Sequence, residues 1–416
     1  MNRLLSSLAS RLVRKGSLAV TDAEGKLHRF GDGTGEPVHI IIHSKPAERA
    51  IALDPSLGVP ESYMSGELDF LEGNPLAFLS IAYQNMGLSA AHSLTMRVNE
   101  GARMLFRRLQ QINYPGKSRQ NVHHHYDLSG ELYRLFLDDD LQYSCAYYPT
   151  PETTLEEAQL AKKRHIAAKL ALEPGQKVLD IGSGWGGMGL YIARNFDVDL
   201  LGVTLSTEQH AVSNQRATDS KLADRARFEM ADYRDLKGPF HRIVSVGMFE
   251  HVGLNHYRTF FDKCAELLTD DGVMLLHTIG RTSGGAPTAA FIRKYIFPGG
   301  YIPALSEVLP AIEKSGLFVT DVEILRFHYA ETLKAWRERF MARRDEVVKL
   351  YDERFARMWE FYLSGSEAAF RWQDMVNFQI QISKRRETLP LTRDYMVDME
   401  RQLAATPQRA FSDAAE

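Results

Sequence analysis

The chain has 416 residues, of which 44% are apolar and 25% are charged, and this composition excludes a disordered or fibrous protein. Fifty Lys and Arg residues against 53 Asp and Glu residues give a net charge of −3, which disfavours binding to nucleic acid by bulk charge. Its only cysteines, Cys145 and Cys264, are too few for a disulfide framework or a cysteine-built zinc site, and we expect no metal.

No stretch reaches the ~18 apolar residues that a membrane-spanning helix needs. Arg11 interrupts the apolar run near the amino terminus and no small-residue cleavage pattern follows, so we expect no signal peptide. Two thiols in a chain of this length fit a reducing compartment. These features predict a cytoplasmic protein.

Residues 1–112 predict a small α+β domain. In residues 3–15 the leucines fall on one half of a helical wheel, and Arg3, Arg11 and Arg14 fall on the other half. Residues 17–30 indicate a β-hairpin that turns at residues 22–25, with Gly25 at a positive φ. Residues 38–43 and 50–53 resemble strands, and residues 75–112 return to helical spacing.

Basic charge is concentrated in the amino-terminal part of the chain. Residues 1–119 contain 14 Lys and Arg against 11 Asp and Glu, and residues 97–119 contain six basic residues against Glu100 alone. A basic amphipathic helix is typical of a membrane interface. It is equally typical of a first helix packed on its own domain with its charges in solvent. We predict that residues 1–112 contact the membrane or lipid.

Residues 113–416 predict a catalytic domain that follows a linker at 113–118. From residue 177 strands alternate with helices, the pattern of a doubly wound Rossmann-like sheet with parallel strands. Residues 331–386 predict long aromatic-rich helices that form a carboxyl-terminal lid. Residues 403–416 are polar and Ala-rich, and we expect a disordered tail.

A buried strand runs into a glycine-rich loop and a helix at residues 178–187. The spacing is Gly182-x-Gly184-x-Gly186-Gly187, which differs from the dinucleotide fingerprint, and Asp180 lies two residues before the first glycine. A carboxylate there would repel a pyrophosphate. The loop therefore favours a cationic or neutral ligand such as S-adenosylmethionine.

The ends of the next two strands carry further candidates. At the end of the second strand an Asp or Glu usually binds the ribose hydroxyls of the cofactor. Residues 202–209 instead contain Thr204, Leu205 and Gln209, and Gln209 could replace the acid. Glu208 fits a simple helix-terminal charge. After the third strand, Asp232 could accept from an adenine amino group and Tyr233 could cover the ring.

These residues match the motifs of a known family. The chain closely resembles the cyclopropane-fatty-acyl-phospholipid synthases, S-adenosylmethionine-dependent enzymes related to mycolic acid cyclopropane synthases. The resemblance extends from His125-Tyr126-Asp127 to about Ser383. Its blocks are residues 142–147, 178–187, 202–206, 232–235, 245–253, 275–280, 294–298 and 336–340.

The resemblance implies that a methylene group passes from S-adenosylmethionine to the cis double bond of a phospholipid acyl chain. A carbocation forms, bound bicarbonate removes a proton, and a cyclopropane ring closes. It also implies that Cys145, Glu250, His277 and Tyr329 surround the bicarbonate, with Tyr329 resting on the short motif at 327–329. The implied cofactor residues are Tyr143, Ser144, Asp180, Gly182, Gly184, Gly187, Thr204, Leu205, Gln209, Asp232 and Tyr233.

The expected partners are unsaturated phospholipids, reached by peripheral contact with the inner face of the membrane, and a homodimer is left open. Cys145 has an alternative interpretation as a nucleophile, but no covalent step is needed. The adjacent His123, His124 and His125 do not predict a metal site without a second cluster.

Two other functions are compatible with the sequence. A related C-methyltransferase would make methyl- or methylene-branched acyl chains without closing a ring. A lipid-binding protein on a methyltransferase scaffold would have no need of the glycine loop. The sequence sets neither the head group nor the double-bond position.

Overall fold

The structure, a computed structural model, describes residues 1–86 and 130–406. Backbone packing divides the chain into two compact units. The first unit comprises Met1–Gln110, Ala286–Pro298 and Tyr329–Met375, and the second comprises Gln111–Gly285, Gly299–His328 and Val376–Glu416. The predicted linker at 113–118, the basic residues at 97–119 and the histidines at 123–125 lie outside the described residues.

The first unit contains a four-stranded sheet in the order β2-β1-β3-β4, in which β1 and β3 are parallel and the outer pairs are antiparallel. The predicted hairpin is present, and Gly25 adopts φ +77° in its turn. The elements are α1 Arg3–Leu12, β1 Ser17–Thr21, β2 Leu27–Phe30, β3 Pro37–Ile42, α2 Lys45–Leu53, α3 Pro55–Met64, β4 Leu68–Glu72 and α4 Pro75–Met86.

The strand expected at residues 50–53 is instead the last turn of α2. The Ser44 hydroxyl accepts a hydrogen bond from the Ala47 N–H, and Pro46 occupies the first turn, so the helix begins upstream of the apolar residues. Ile51 and Ala52 are buried on one face of that helix. Residues 50–53 are too short an apolar run for their periodicity to distinguish a strand from a helix.

The amphipathic helix α1 packs on its own unit. Leu5, Leu8 and the following Val13 are buried, whereas Arg3 and Arg11 are exposed. The apolar face is therefore already covered within the protein. Of the two interpretations of this helix, the structure favours the packed one, with the basic residues and Leu4 left in solvent.

The second unit contains a seven-stranded sheet in the order β10-β11-β9-β8-β5-β6-β7. Strands β5 to β9 pair in parallel, and β10 pairs antiparallel to β11. This confirms the predicted doubly wound sheet. Its elements are α5 Gly130–Phe136, α6 Leu155–Lys169, β5 Lys177–Ile181, α7 Gly187–Asn195, β6 Asp199–Thr204, α8 Thr207–Asp219, β7 Ala226–Met230, β8 Phe240–Val246, α9 Tyr257–Leu267, β9 Leu268–Arg281, α10 Leu305–Lys314 and β10 Phe318–Leu325.

The carboxyl-terminal part departs from the predicted run of helices over 331–386. Helices α11 His328–Ala342, α12 Arg344–Leu350 and α13 Glu353–Trp372 end there, and Met375–Ser383 forms β11. Its residues alternate apolar and polar, from Val376 to Ser383, which is the period of a strand. Helix α13 packs on α3 and α4 in the first unit, whereas β11 lies in the second.

Residues 403–405 belong to a helix, which corrects the expected start of the disordered tail, and residues 407–416 lie outside the described residues. Helix α14, Asp394–Ala405, packs on α6, and Leu403 is buried in the core of the second unit. In residues 1–86 and 130–406, no helix is both long and apolar enough to cross a membrane.

Candidate active site

A cleft opens in the second unit, where β5, β6, β7 and β8 end. Its wall includes the glycine loop after β5 and the segment at 141–144. In parallel sheets of this kind, ligands bind outside the carboxyl ends of the strands. Ten of the predicted cofactor residues line the cleft: Tyr143, Ser144, Asp180, Gly182, Gly184, Thr204, Leu205, Gln209, Asp232 and Tyr233. Gly187 begins α7 behind the loop and is not in the lining.

The glycine loop brings its backbone to the surface of the cleft. Gly184 has φ +55°, and a β-carbon built on it would have no atom within 4 Å. Gly182 has φ +82°, and a β-carbon there would lie 2.7 Å from the side chain of Met248. A side chain at Gly184 would therefore extend into open space that a ligand can occupy, whereas one at Gly182 would collide with the protein.

Asp180 gives the cleft an unsatisfied buried carboxylate. It is 1% exposed, and its Oδ2 atom has no hydrogen-bond partner within residues 1–86 and 130–406. Burial raises the pKa of this carboxyl to about 7. Buried polar groups are normally paired, so the site suits a ligand that brings a donor or a positive charge.

Gln209 is held in one orientation by two neighbours. Its backbone N–H donates to Ser206 Oγ at 3.3 Å, which caps α8, and Thr204 Oγ1 donates to its Oε1 at 2.8 Å. With the amide oxygen engaged, the donor end of the amide remains for a ligand. Glu208 accepts from the Gly130 N–H at 3.0 Å, which gives it a role in anchoring α5.

Asp232 has a partner that the sequence reasoning missed. Arg234 donates to both of its oxygens, from Nε to Oδ1 at 2.9 Å and from Nη2 to Oδ2 at 2.6 Å. The spacing Asp232-x-Arg234 was the available signal. Tyr233 packs edge-on against Phe260, with ring centroids 5.4 Å apart. The expected adenine contacts of this pair stay a prediction.

A buried lysine behind the cleft was also missed. Lys162 Nζ donates to Ser144 Oγ at 2.8 Å and to Gln142 Oε1 at 2.5 Å, and burial lowers its pKa to about 8. It therefore fixes two side chains of the cleft wall. Helix α6 has no one-sided apolar pattern, so no periodicity in the sequence marks this lysine as buried.

His277 is buried near the end of β9, and the Oε2 atom of Glu250 is buried as well. Glu250 follows β8, and its Oε1 accepts from the Ile279 N–H at 2.6 Å. Its Oε2 has no hydrogen-bond partner among the described residues, and burial raises its pKa to about 7. Ile279 lies two residues after His277, on the same face of β9. The fold thus ties the Glu250 carboxylate to the backbone of β9 two residues after His277.

His277 is neutral, because burial and nearby Lys162 and Lys169 hold its pKa well below the usual value. Its Nδ1 lies 3.1 Å from Gln379 Nε2. Its Nε2 has no hydrogen-bond partner in the part of the chain that the structure describes. The site therefore contains a second buried polar atom that awaits a partner.

The other two predicted residues differ in setting. Cys145 is fully buried, its Sγ donates to the Ala146 carbonyl at 3.3 Å, and burial raises the pKa of the thiol. A neutral thiol disfavours the interpretation as a nucleophile. Tyr329 lies in the first turn of helix α11 and belongs to the first unit, with its ring 4.8 Å from that of Phe370. Its place beside the other three stays a prediction.

Comparisons with known proteins point to one family along most of the chain. The family model for mycolic acid cyclopropane synthetase matches residues 115–380. Cyclopropane-fatty-acyl-phospholipid synthase of Escherichia coli K12 is 37% identical over 354 residues, covering 84% of this chain and 88% of that protein. Tuberculostearic acid methyltransferase UfaA1 of Mycobacterium tuberculosis is 34% identical over 387 residues, which are 88% of each.

A solved structure supports the same relationship. Mycolic acid cyclopropane synthase CmaA1, in complex with SAH and CTAB, has a TM-score of 0.61 and 36% sequence identity to this chain. It covers 64% of this chain and 97% of its own.

Proposed function

The chain belongs to the mycolic acid cyclopropane synthetase family of S-adenosylmethionine-dependent enzymes, and on that premise we propose that it forms cyclopropane rings in phospholipid acyl chains. The observation that carries the proposal is the pair of buried, unpartnered atoms Glu250 Oε2 and His277 Nε2. They offer an acceptor and a donor to a small guest such as bicarbonate. An enzyme that makes methylene-branched chains must also remove a proton from its carbocation, so the product decides between ring closure and branching.

S-adenosylmethionine is proposed to bind in the cleft, over the glycine loop. Asp180 would accept from the positively charged part of the ligand, and Gln209 would donate to a ribose hydroxyl. Asp232 and Tyr233 would hold the adenine, with Arg234 keeping the carboxylate in place. The open space at Gly184 and the unsatisfied Asp180 are the observations that support this placement.

The reaction makes two carbon–carbon bonds. The electron pair of the cis double bond attacks the methyl carbon of S-adenosylmethionine, a C–C bond forms, and the C–S bond breaks to leave S-adenosylhomocysteine (SAH). The remaining carbocation closes to a ring when the former methyl carbon loses a proton. Bicarbonate, when bound, supplies the base for that proton.

The residues of the chain would hold that base and keep the site dry. Glu250 accepts a hydroxyl hydrogen through Oε2, and His277 donates from Nε2. Cys145 adds a neutral thiol that does not attack the carbocation, and Tyr329 is proposed as a further donor. Cys145, His277 and the Oε2 atom of Glu250 are buried, and such a site would exclude water, which would otherwise trap the cation.

The acyl substrate lies in a bilayer, so the enzyme is proposed to dock on the cytoplasmic face of the membrane through its basic amino-terminal region. Arg3, Arg11, Arg14 and Lys15 are exposed at and after α1. Such residues attract anionic head groups, and salt screens the attraction. Because Leu5 and Leu8 of α1 are buried and Leu4 alone of its leucines is exposed, the contact is proposed to rest mainly on charge.

Mass spectrometry of lipids from cells that express the chain tests the activity. Monounsaturated acyl chains should gain the mass of one CH₂ group and should resist ozonolysis, since the double bond is lost. The relationship to the tuberculostearic acid enzyme favours a second candidate, methyl branching. Acyl chains that gain one CH₂ group but keep a double bond, as a methylene branch, would support that candidate and would overturn ring formation.

A further inference from the structure

His277 has a fixed neighbour that the proposed reaction does not itself require. Gln379 lies on β11, the strand next to β9, and is fully buried. Its Nε2 lies 3.1 Å from His277 Nδ1. A neutral imidazole has one donor and one acceptor nitrogen, and the neighbour of one nitrogen decides which of the two carries the proton.

The orientation of the Gln379 amide is set from its other side. Lys169 Nζ donates to Gln379 Oε1 at 2.6 Å. Burial lowers the pKa of Lys169, and the ion pair with Glu323 opposes that shift; as the ammonium of this pair Lys169 can only donate. The amide oxygen must therefore face Lys169, and the NH₂ group must face His277.

Glu323 is held in turn by a second base. It accepts from His165 Nε2 at 2.7 Å, and Glu400 lies 3.0 Å from His165 Nδ1. A series of contacts therefore connects Glu400, His165 and Glu323 through Lys169 to the amide of Gln379. All its members belong to the second unit.

We infer that Gln379 is a positioning residue that places the single proton of His277 on Nε2. Because the amide NH₂ donates to Nδ1, Nδ1 must accept, and the N–H lies on the atom without a partner. This inference rests on the proposed function, in which Nε2 donates to the oxyanion. The other tautomer would present a lone pair to an anion and repel it.

The first test reads the tautomer directly in the full-length wild-type protein. ¹⁵N-labelled histidine gives distinct shifts for the two nitrogens of a neutral ring, and the His277 signals are those lost in His277→Gln. We expect a protonated Nε2 and an unprotonated Nδ1. A proton on Nδ1 would overturn the inference, whatever the enzyme is found to catalyse.

The second test compares two buried amides on one strand. Gln379→Met keeps the size of the side chain but removes the donor. Gln381→Met is the matched control, because Gln381 lies on the same face of β11 and donates to the Lys169 carbonyl and to Tyr395 Oη. Both variants lose buried hydrogen bonds, but only the first loses the contact with His277.

We expect Gln379→Met to lower kcat by ~10- to 100-fold, the range typical of outer partners of an active-site group. It should raise the KM for bicarbonate and leave the affinity for S-adenosylmethionine unchanged. Gln381→Met should keep the wild-type kinetics. Equal losses in the two variants would show a structural role alone and would reject the inference. Wild-type turnover independent of bicarbonate would instead refute the proposed base, while the tautomer measurement still decides the role of Gln379.

Discussion

Glu250 Oε1 accepts a hydrogen bond from the backbone N–H of Ile279 at 2.6 Å, so one carboxylate oxygen is tied to β9 and the other is left without a partner. The backbone contact fixes the carboxylate beside the strand that carries His277. Pairing of only one oxygen is costly in a buried site unless a guest completes it. Glu250 is thus preorganised for a donor that the chain does not supply.

Replacement of Glu250 by Gln should therefore impair turnover far more than cofactor binding. The amide can still accept from Ile279, but its NH₂ group cannot accept the hydroxyl hydrogen of bicarbonate. Loss of one preorganised polar contact typically lowers kcat by ~10²–10³-fold. Kinetics in bicarbonate-depleted and bicarbonate-supplemented buffer, with calorimetry of S-adenosylmethionine binding, measure both effects. Wild-type turnover of the variant in depleted buffer would contradict the assignment.

A side chain at Gly184 should abolish binding of S-adenosylmethionine. Gly184→Val would extend into the open space over the loop. Gly175→Val is the matched control, because Gly175 also has a positive φ and an open surrounding but is not part of the cleft lining. Both variants should lose thermal stability through backbone strain, whereas only Gly184→Val should lose cofactor affinity in calorimetry. Wild-type affinity for S-adenosylmethionine in Gly184→Val would show that the cofactor does not bind over this loop.

Asp180 should make the ligand-free protein less stable as pH rises. Its pKa is raised from 3.8 to about 7 by burial, so between these values the folded state binds more protons than the unfolded state. Stability then falls as pH rises through this window, by a few kcal/mol at most. Urea unfolding at pH 5.5 and pH 7.5 should show a smaller loss in Asp180→Asn than in the wild type. An equal loss would mean that Asp180 titrates normally.

The basic residues around α1 should carry much of the association with anionic vesicles. Changing Arg3, Arg11, Arg14 and Lys15 to Gln removes four exposed charges, each worth ~1 kcal/mol near an anionic surface. Flotation with anionic vesicles should fall in this variant, and wild-type flotation should fall between low and high salt. Changing Lys177, Lys221, Lys237 and Lys314 to Gln, four exposed positions in the second unit, serves as a control for the loss of four charges. Unchanged flotation of the α1 variant would place the docking surface elsewhere.

Point substitutions are better suited to this question than removal of the amino-terminal region. Tyr63 Oη donates to Glu360 Oε2 at 2.7 Å in a buried contact, and Arg357 pairs with Asp69 at 2.6 Å. Helix α13 thus depends on α3 and β4. A chain that began near residue 118 would leave this helix without its partners, and its loss of function would be uninformative.

The sheet and most of the cleft could be predicted because their signals are local. The buried strand before Asp180, the glycine spacing and the alternation of strands and helices each lie within a few residues of one another. The partners of these residues could not be predicted in the same way. Lys162 and Gln379 reach the site from α6 and β11, and only the folded chain brings them to Ser144 and His277.

The errors in secondary structure have a related cause. Aromatic residues before residue 372 suggested that the helices continue, and the alternation from Val376 to Ile382 was overlooked although it has a strand period. The polar members of that strand, Asn377, Gln379 and Gln381, are buried. Both faces of β11 are covered by protein, so its polar residues are internal hydrogen-bonding groups and not a solvent face.

The first unit is built from segments that are far apart in the sequence, so it cannot be completed early in translation. Residues 1–86 leave the ribosome early, but the faces of α3 and α4 that receive α13 stay uncovered until Trp372 has emerged. At ~5–20 residues per second, this wait is roughly 15–60 s. For that time the faces of α3 and α4 lack the cover of α13, and apolar surface exposed in this way favours aggregation of a nascent chain.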